Sequence, residues 1–301
     1  MTECERIISL GRLPDDFLKE EIRCGFHVDT FRKKIWAIEL DIYMKFVEVC
    51  KKHNLKFWGD GGTLLGAVRH NGFIPWDDDI DVIMPREDYN KFMNLPQEEF
   101  GEPYFLQTPY TDSNYAFSFI RLRNGNTTCT PKIFAKSGCN SGIYIDIFPL
   151  DNLVPSNVES DRNKIYECIM KCSSYMKRNS FDELDERQLA NFNKYITDNP
   201  IAEFEKIQNI ISNPAYIGSG YVGNCSVTLL KPERQIWREE WFDETVMHKF
   251  EFIEIPMPKM IHERLTVQYG SYMEFPPLEE RGKWHPDVIW NPDVPYTELL
   301  K

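Results

Sequence analysis

FWGDGGTLLGAVRHNGFIPWDDDIDVIMP, residues 57–85, holds the pattern from which the rest of the chain is placed. Leu55 to Trp58 is a short apolar run; Asp60-Gly61-Gly62 then turns the chain, and Thr63 to Arg69 has helix-forming composition until Asn71-Gly72 stops it. The order is strand, glycine turn, short helix. From Asp79 to Met84 polar and apolar residues alternate, so Ile80, Val82 and Met84 share one face and Asp79 and Asp81 the other. Asp77, Asp78, Asp79 and Asp81 form a run of like charge that is costly unless a cation or solvent takes it up.

Working outward, Phe31, Ile35, Ile38, Ile42, Phe46 and Val49 recur at helical steps and predict a long helix ending near His53-Asn54. Beyond Pro85, Arg86 to Leu95 reads as a helix. Strands are expected at 104–107, 117–123 and 127–130, and a stronger one at 142–148, GIYIDIF, where Tyr144, Asp146 and Phe148 oppose Ile143, Ile145 and Ile147. From Val158 to about Ile211 the chain is helical, with Ile165, Cys168, Ile169, Cys172, Tyr175 and Met176 as one stripe. Strand-like segments follow near 221–229 and 248–255, then a helix from Lys259 to Tyr269 closed by Gly270, and an irregular, proline- and aromatic-rich tail. The fold class expected is α+β: a mixed sheet flanked by helices. Its parts are an N-terminal extension (1–30), a catalytic core (31–155), a helical lobe (156–212) and a C-terminal α/β segment with its tail packed on the core (213–301).

Carboxylates at i and i+2 on a strand lie about 6–7 Å apart along one face and converge on a hard divalent ion. Mg²⁺ takes one or two protein carboxylates and leaves positions for substrate phosphates, a role that suits Asp79 and Asp81. Asp146, a charge in an otherwise apolar strand, is the expected third carboxylate, although an arginine or a backbone amide would satisfy it equally. Asp77 and Asp78 read either as site residues or as a solvated turn after Pro75. Gly61 and Gly62 let backbone N–H groups approach a phosphate at a helix start, where the dipole also favours an anion.

The string D-G-G-T-L-L-G-A-V-R-H-x-G-F-I-P-W-D-D-D-I-D at 60–81 resembles the LicD family of phosphocholine transferases, relatives of the fukutin-type phosphotransferases with a nucleotidyltransferase fold. G-I-Y-I-D-I-F-P-L-D at 142–151 and Y-G-S-Y-M-x-x-P-P-x-x-x-R at 269–281 extend the likeness. The resemblance implies transfer of a phospho-alcohol, typically phosphocholine, from a CDP donor to a sugar hydroxyl of a glycan or lipid-linked precursor, as in lipopolysaccharide synthesis, with release of CMP. Carried over, it makes Asp79, Asp81 and Asp146 ligands of Mg²⁺ or Mn²⁺, and Gly61, Gly62 and Thr63 the holders of the donor diphosphate. Arg69, His70, Arg121 and Arg123 become candidate phosphate contacts, and Asp77 or Asp78 the base. A choline head group calls for an aromatic cage, for which Trp58, Trp76, Tyr269, Tyr272, Trp284 and Trp290 are available. CDP-ribitol or CDP-glycerol are the alternative donors.

Over 301 residues, 42% hydrophobic and 27% charged, the composition is that of a globular protein. A net charge of −12 argues against nucleic acid and anionic lipid as partners. The eight cysteines include no C-x-x-C pair, and Cys168 and Cys172 fit one helix face better than a zinc site. No stretch approaches the roughly eighteen apolar residues of a membrane span, and MTECERIISL lacks the order of a signal peptide, so free thiols in a cytoplasmic enzyme are expected. There are two rival readings. A D-x-D glycosyltransferase would need a longer nucleotide-sugar domain before the motif, and a calcium-binding module would need the roughly twelve-residue calcium loop spacing.

Overall fold

Asp29 starts the long helix by accepting a hydrogen bond from the Arg32 N–H at 2.8 Å, and Lys51 and Lys52 favour its C-terminal end. The computed structural model describes residues 1–180, 182, 184–227, 231–282 and 287–300. In chain order come α1 (Glu3–Ser9), β1 (Glu21–Arg23), β2 (Phe26–Val28), the long helix α2 (Thr30–Lys52), β3 (Trp58–Gly59) and α3 (Gly61–His70). β4 (Asp81–Pro85), α4 (Arg86–Met93), β5 (Tyr104–Gln107), β6 (Ile120–Asn124), β7 (Thr128–Pro131) and β8 (Ile143–Asn152) complete the first half. The helices α5 (Val158–Lys177), α6 (Glu186–Lys194) and α7 (Pro200–Ile211) lead to β9 (Tyr221–Gly223), β10 (Trp237–Arg238), β11 (Thr245–Phe250) and β12 (Ile253–Pro258). α8 (Ile261–Tyr269), β13 (Val288–Asn291) and α9 (Tyr296–Leu299) end the chain. The result is an α+β fold.

β8 organises the main sheet, which has seven strands. It pairs parallel with β4, antiparallel with β6 along its first half and antiparallel with β9 near its end; β3 extends the sheet beyond β4 and β5 beyond β6. Val82, Met84, Ile120, Leu122, Ile143, Ile145 and Ile147 belong to one core with Ile35, Trp36, Ile38 and Ile42 of α2. On the other side Ile83, Phe119 and Phe148 pack with Trp58, Val222, Trp237 and Phe242. Apolar matter thus covers both faces of the sheet, and β4 carries its polar residue only at its entry, Asp81.

Four expectations need correction. The aspartate strand begins at Asp81, not Asp79: β3 offers partners only to Ile83 and Val82, so the preceding residues have no ladder to join on that side. The single strand expected at 248–255 is a hairpin, β11 with β12. Its turn at Glu251 has φ +53° with no glycine, proline or asparagine to mark it, and is held because the Glu251 carboxylate accepts from Arg23 and from the Phe73 N–H at 3.0 Å. The tail is more ordered than a wrap, since β13 pairs with β7 and the Tyr296 N–H donates to the Thr127 carbonyl at 3.0 Å. The strand expected at 221–229 is shorter: β9 ends at Gly223, residues 224–227 are not strand, and residues 228 and 229 lie outside the described ones.

The N-terminal residues lie on the body of the protein through Asp41 of α2, which takes Arg6 at 2.5 Å, Arg12 at 2.7 Å and the Tyr104 hydroxyl at 2.8 Å. In the helical region Ile165 and Cys168 of α5 pack on Ile207 and Ile211 of α7, while Cys172 and Met176 reach Tyr115, Ala116 and Cys139 of the core. All eight cysteines are free thiols. Among the described residues, no helix is long and apolar enough to cross a membrane.

Candidate active site

The turn between β3 and α3 brings the aspartates to a helix N-terminus. Gly61 adopts φ +50°, and a Cβ there would stand 2.6 Å from Oδ2 of Asp81. A Cβ on Gly62 would stand 2.6 Å from Oδ2 of Asp77 and 3.9 Å from Oδ1 of Asp79. Any side chain at either position would therefore displace a carboxylate. Asp81 is fixed through its backbone: its N–H donates to Thr63 Oγ1 at 2.8 Å, and its carbonyl accepts from the Asp60 N–H at 3.0 Å. Thr63 is buried, so in this arrangement its hydroxyl supports Asp81. Burial pushes the Asp81 carboxyl well above the usual carboxylate range, and Asp79, Asp146, Asp60 and Asp77 push it further.

Sheet register places the other candidates. Asp81 lies opposite Asp146 in the parallel β4–β8 pair, and Asp146 lies opposite Arg121 in the antiparallel β8–β6 pair. The Arg121 guanidinium donates to Asp146 Oδ1 at 2.6 Å and packs on the Tyr144 and Phe117 rings, 3.8 Å and 4.4 Å from their centroids. Asp146 thus has the arginine partner that a strand aspartate calls for, while its charge still acts on Asp81. Arg123, two residues along β6, spends its donors on Gln107 and on the Gly142 and Cys129 carbonyls.

Asp77 and Asp78 part company. Asp77 lines a cleft of about 580 Å³ together with Gly62, Asp79, Asp81, Arg69 and Trp76, and with Tyr269 at the end of α8 and Tyr272 and Phe275 from the segment that follows it. Asp78 lines a separate pocket with Arg32, whose Nη1 is 3.9 Å from its Oδ2, and with Phe26, Trp76 and Trp290. Arg69 ties the cleft wall together by donating from Nη1 to the Tyr272 and Glu274 carbonyls, at 2.9 and 3.1 Å, and from Nε to His70 Nε2 at 2.9 Å. His70 therefore serves Arg69 as an acceptor; burial, then Arg69, Arg23 and Arg281, lowers its pKa to about 4, so its ring is neutral near pH 7.

Of the cage candidates, Trp58 belongs to the core, with its Nε1 on Thr245 Oγ1 at 2.9 Å. Trp76 has arginines on its ring, Arg281 at 4.6 Å and Arg69 at 5.9 Å from the centroid, and both also approach Phe275. Tyr269 and Tyr272 line the cleft, Trp290 lines the Asp78 pocket, and Trp284 lies outside the described residues.

One residue that the sequence reading missed is Glu39 of α2, 1% exposed, with no hydrogen-bond partner for Oε2 among the described residues. Burial raises its pKa well above the carboxylate range, helped by Asp79, Asp78 and Asp77. The available signal was a carboxylate set among Ile38, Leu40 and Ile42 on the apolar stripe. The donor set around Gly61 and Gly62 is all carboxylate oxygen, which fits Mg²⁺ or Mn²⁺. Among the described residues, no three His, Cys, Asp or Glu side chains are grouped to hold an ion by themselves. That is compatible with an ion that takes one or two carboxylates and completes its shell with water and phosphate.

A mixed sheet with a D-x-D pair at the strand edge, set against a glycine-started helix, defines a nucleotidyltransferase-type domain. Residues 54–193 match the family described as "LicD/FKTN/FKRP, nucleotidyltransferase domain", so the chain carries a domain of this LicD family. It is 29% identical over 258 residues to the lipopolysaccharide cholinephosphotransferase LicD of Haemophilus influenzae, covering 82% of this chain and 92% of that one. An uncharacterised Rickettsia prowazekii protein is 51% identical over 107 residues, 35% of each chain. Human ribitol 5-phosphate transferase FKRP is 32% identical over 83 residues, 23% of this chain and 17% of its own length.

Proposed function

We propose that the protein transfers a phospho-alcohol, phosphocholine from CDP-choline in the first instance, to a sugar hydroxyl of a surface glycan or its precursor. The observation that carries this reading is the convergence of Asp77, Asp79 and Asp81 on Gly61 and Gly62 at the cleft. The similarity to LicD along most of both chains supports the choice of head group. Asp79 and Asp81 are the residues to hold a Mg²⁺ ion, with Asp146 behind Asp81 in register. When bound, that ion neutralises charge on the transferred phosphate.

The chain's own contribution is positioning and electrostatics. Backbone N–H groups at the start of α3 face an anion at the glycines, and Arg69 adds a cation on the cleft wall. Asp77, which lines the cleft, takes the proton of the acceptor hydroxyl as its oxygen attacks the phosphorus bearing the alcohol. The bond from that phosphorus to the CMP oxygen breaks, and CMP leaves. Asp78, turned to another pocket beside Arg32, is not assigned this role.

A second reading, a polyol head group such as ribitol or glycerol, has its own observation. Guanidinium groups already stand over the rings of Trp76 and Phe275, where a quaternary ammonium would need them open. Incubation with Mg²⁺, a glycan acceptor and a panel of CDP-choline, CDP-ribitol, CDP-glycerol and nucleotide sugars decides by the release of CMP. Consumption of a nucleotide sugar alone would sink the phosphotransferase assignment. Asp79→Asn and Asp81→Asn are expected to lower turnover at least about 100-fold while the circular dichroism stays that of the wild type.

A further inference from the structure

α2 passes beside the 77–79 loop and carries a row of side chains directed at it. Arg32 Nη1 and Trp36 Nε1 both donate to the Asp77 carbonyl, at 2.8 and 3.0 Å, and Trp36 is held by a parallel stack on Phe73 at 4.6 Å. Glu39 follows Trp36 by three residues and Arg32 by seven, so it lies on the same helix face. Its side chain is buried, and the charges that act on it most are those of Asp79, Asp78 and Asp77.

Two other buried carboxylates show how the fold treats such groups when they are structural. Asp41, two residues further along α2, receives Arg6, Arg12 and the Tyr104 hydroxyl. Glu203 also has an open oxygen, but Lys206 stands 3.0 Å and Lys171 3.8 Å from its other one. No lysine or arginine forms an ion pair with Glu39 among the described residues, its Oε2 has no donor, and three carboxylates crowd it.

We propose that Glu39 is a positioning residue for the divalent cation held by Asp79 and Asp81, its Oε2 accepting a hydrogen bond from a water molecule of the ion's shell. This rests on the metal reading of the site. The role matches the absence, among the described residues, of three carboxylates grouped as direct ligands: Glu39 stands one shell further out and orients what the ligands hold.

The test uses the full chain, Mn²⁺ binding followed by the electron paramagnetic resonance signal of the free ion, Mg²⁺ competition, and thermal melting without metal. Glu39→Met, which removes the acceptor, is expected to weaken Mn²⁺ binding about 10–100-fold. It should leave the metal-free melting temperature equal or higher, because an unpaired carboxyl has been removed from an acidic surrounding. Glu39→Gln keeps one acceptor oxygen and should fall between the two; it also serves if the methionine variant does not fold. Wild-type affinity in both variants, with binding lost in Asp79→Asn, overturns the role of Glu39 and leaves the metal site standing. Unchanged binding in Asp79→Asn overturns the metal reading and this proposal with it. A metal-free melting temperature lowered in both Glu39 variants would make Glu39 a structural group instead.

Discussion

His70 lies between Arg69, whose Nε donates to it at 2.9 Å, and the Cys24 thiol at 3.5 Å, with Phe275 stacked on its ring. Its folded pKa, lowered to about 4, lies below the ordinary value near 6.5 of the unfolded chain. Between those values the unfolded chain binds more protons than the folded one, so the contribution of His70 is complete above pH 6.5 and declines as the pH falls toward 4. Melting temperatures measured from pH 7 to 4.5 should therefore fall more steeply in the wild type than in His70→Gln; parallel curves would show that this imidazole is not the group responsible. At this scale the sequence was most legible where chemistry is written as spacing. Asp79-x-Asp81 and Gly61-Gly62 were readable before any coordinates, because so few other arrangements need those residues in that order. Glu39 was not, since a single acid on an apolar helical stripe reads as a polar interruption until the loop facing it is known. The link between Asp146 and Arg121 depends on strand register, which no local pattern states.

Among the elements, α8 shows how a distant segment fixes the site. It carries Arg264, 1% exposed, to the Asp60 carboxylate at the head of α3, and the same guanidinium lies 3.4 Å from the centroid of the Trp237 ring. Replacing Arg264 by Met would leave Asp60 buried and unpaired, a loss of about 3–5 kcal/mol. Urea denaturation should show that loss, and the double variant Arg264→Met, Asp60→Asn should recover most of it, since neither charge then remains. Equal stability of the single and double variants would mean that the arginine acts through Trp237 and not through Asp60. Helices marked by an apolar stripe or a stop signal, α2 by Phe31 to Val49 and α8 by Gly270, were predictable within a few residues. The hairpin of β11 and β12 was hidden because Glu251 turns the chain through contacts with Arg23 and Phe73, more than 170 residues away in sequence.

For the whole molecule the open question is whether the helices of residues 158–211 unfold with the sheet or apart from it. Arg86 of α4 joins the two regions: Nε and Nη2 hold the buried Asp151 of β8 at 2.6 and 2.5 Å, and Nη1 donates to Gln208 of α7 at 2.7 Å. Gln208 in turn donates to the Ser118 carbonyl at 2.9 Å, and Arg178, just past the end of α5, reaches Asn114 at 2.6 Å. These links, with the packing of Cys172 and Met176 on Tyr115, predict a single cooperative unit. The seven tryptophans all lie outside residues 158–211, so tryptophan fluorescence reports the sheet and its surroundings, whereas far-ultraviolet circular dichroism weighs these helices heavily. In the wild type the two denaturation curves should coincide. Arg86→Met leaves the Asp151 carboxylate without its partner and should shift both curves together, by about 3–5 kcal/mol. If the dichroism splits into two steps while the fluorescence midpoint stays in place, the helices form an autonomous domain and Arg86 is a surface tether; a common shift makes them part of the scaffold that holds β8, and through its register Asp146 beside Asp81.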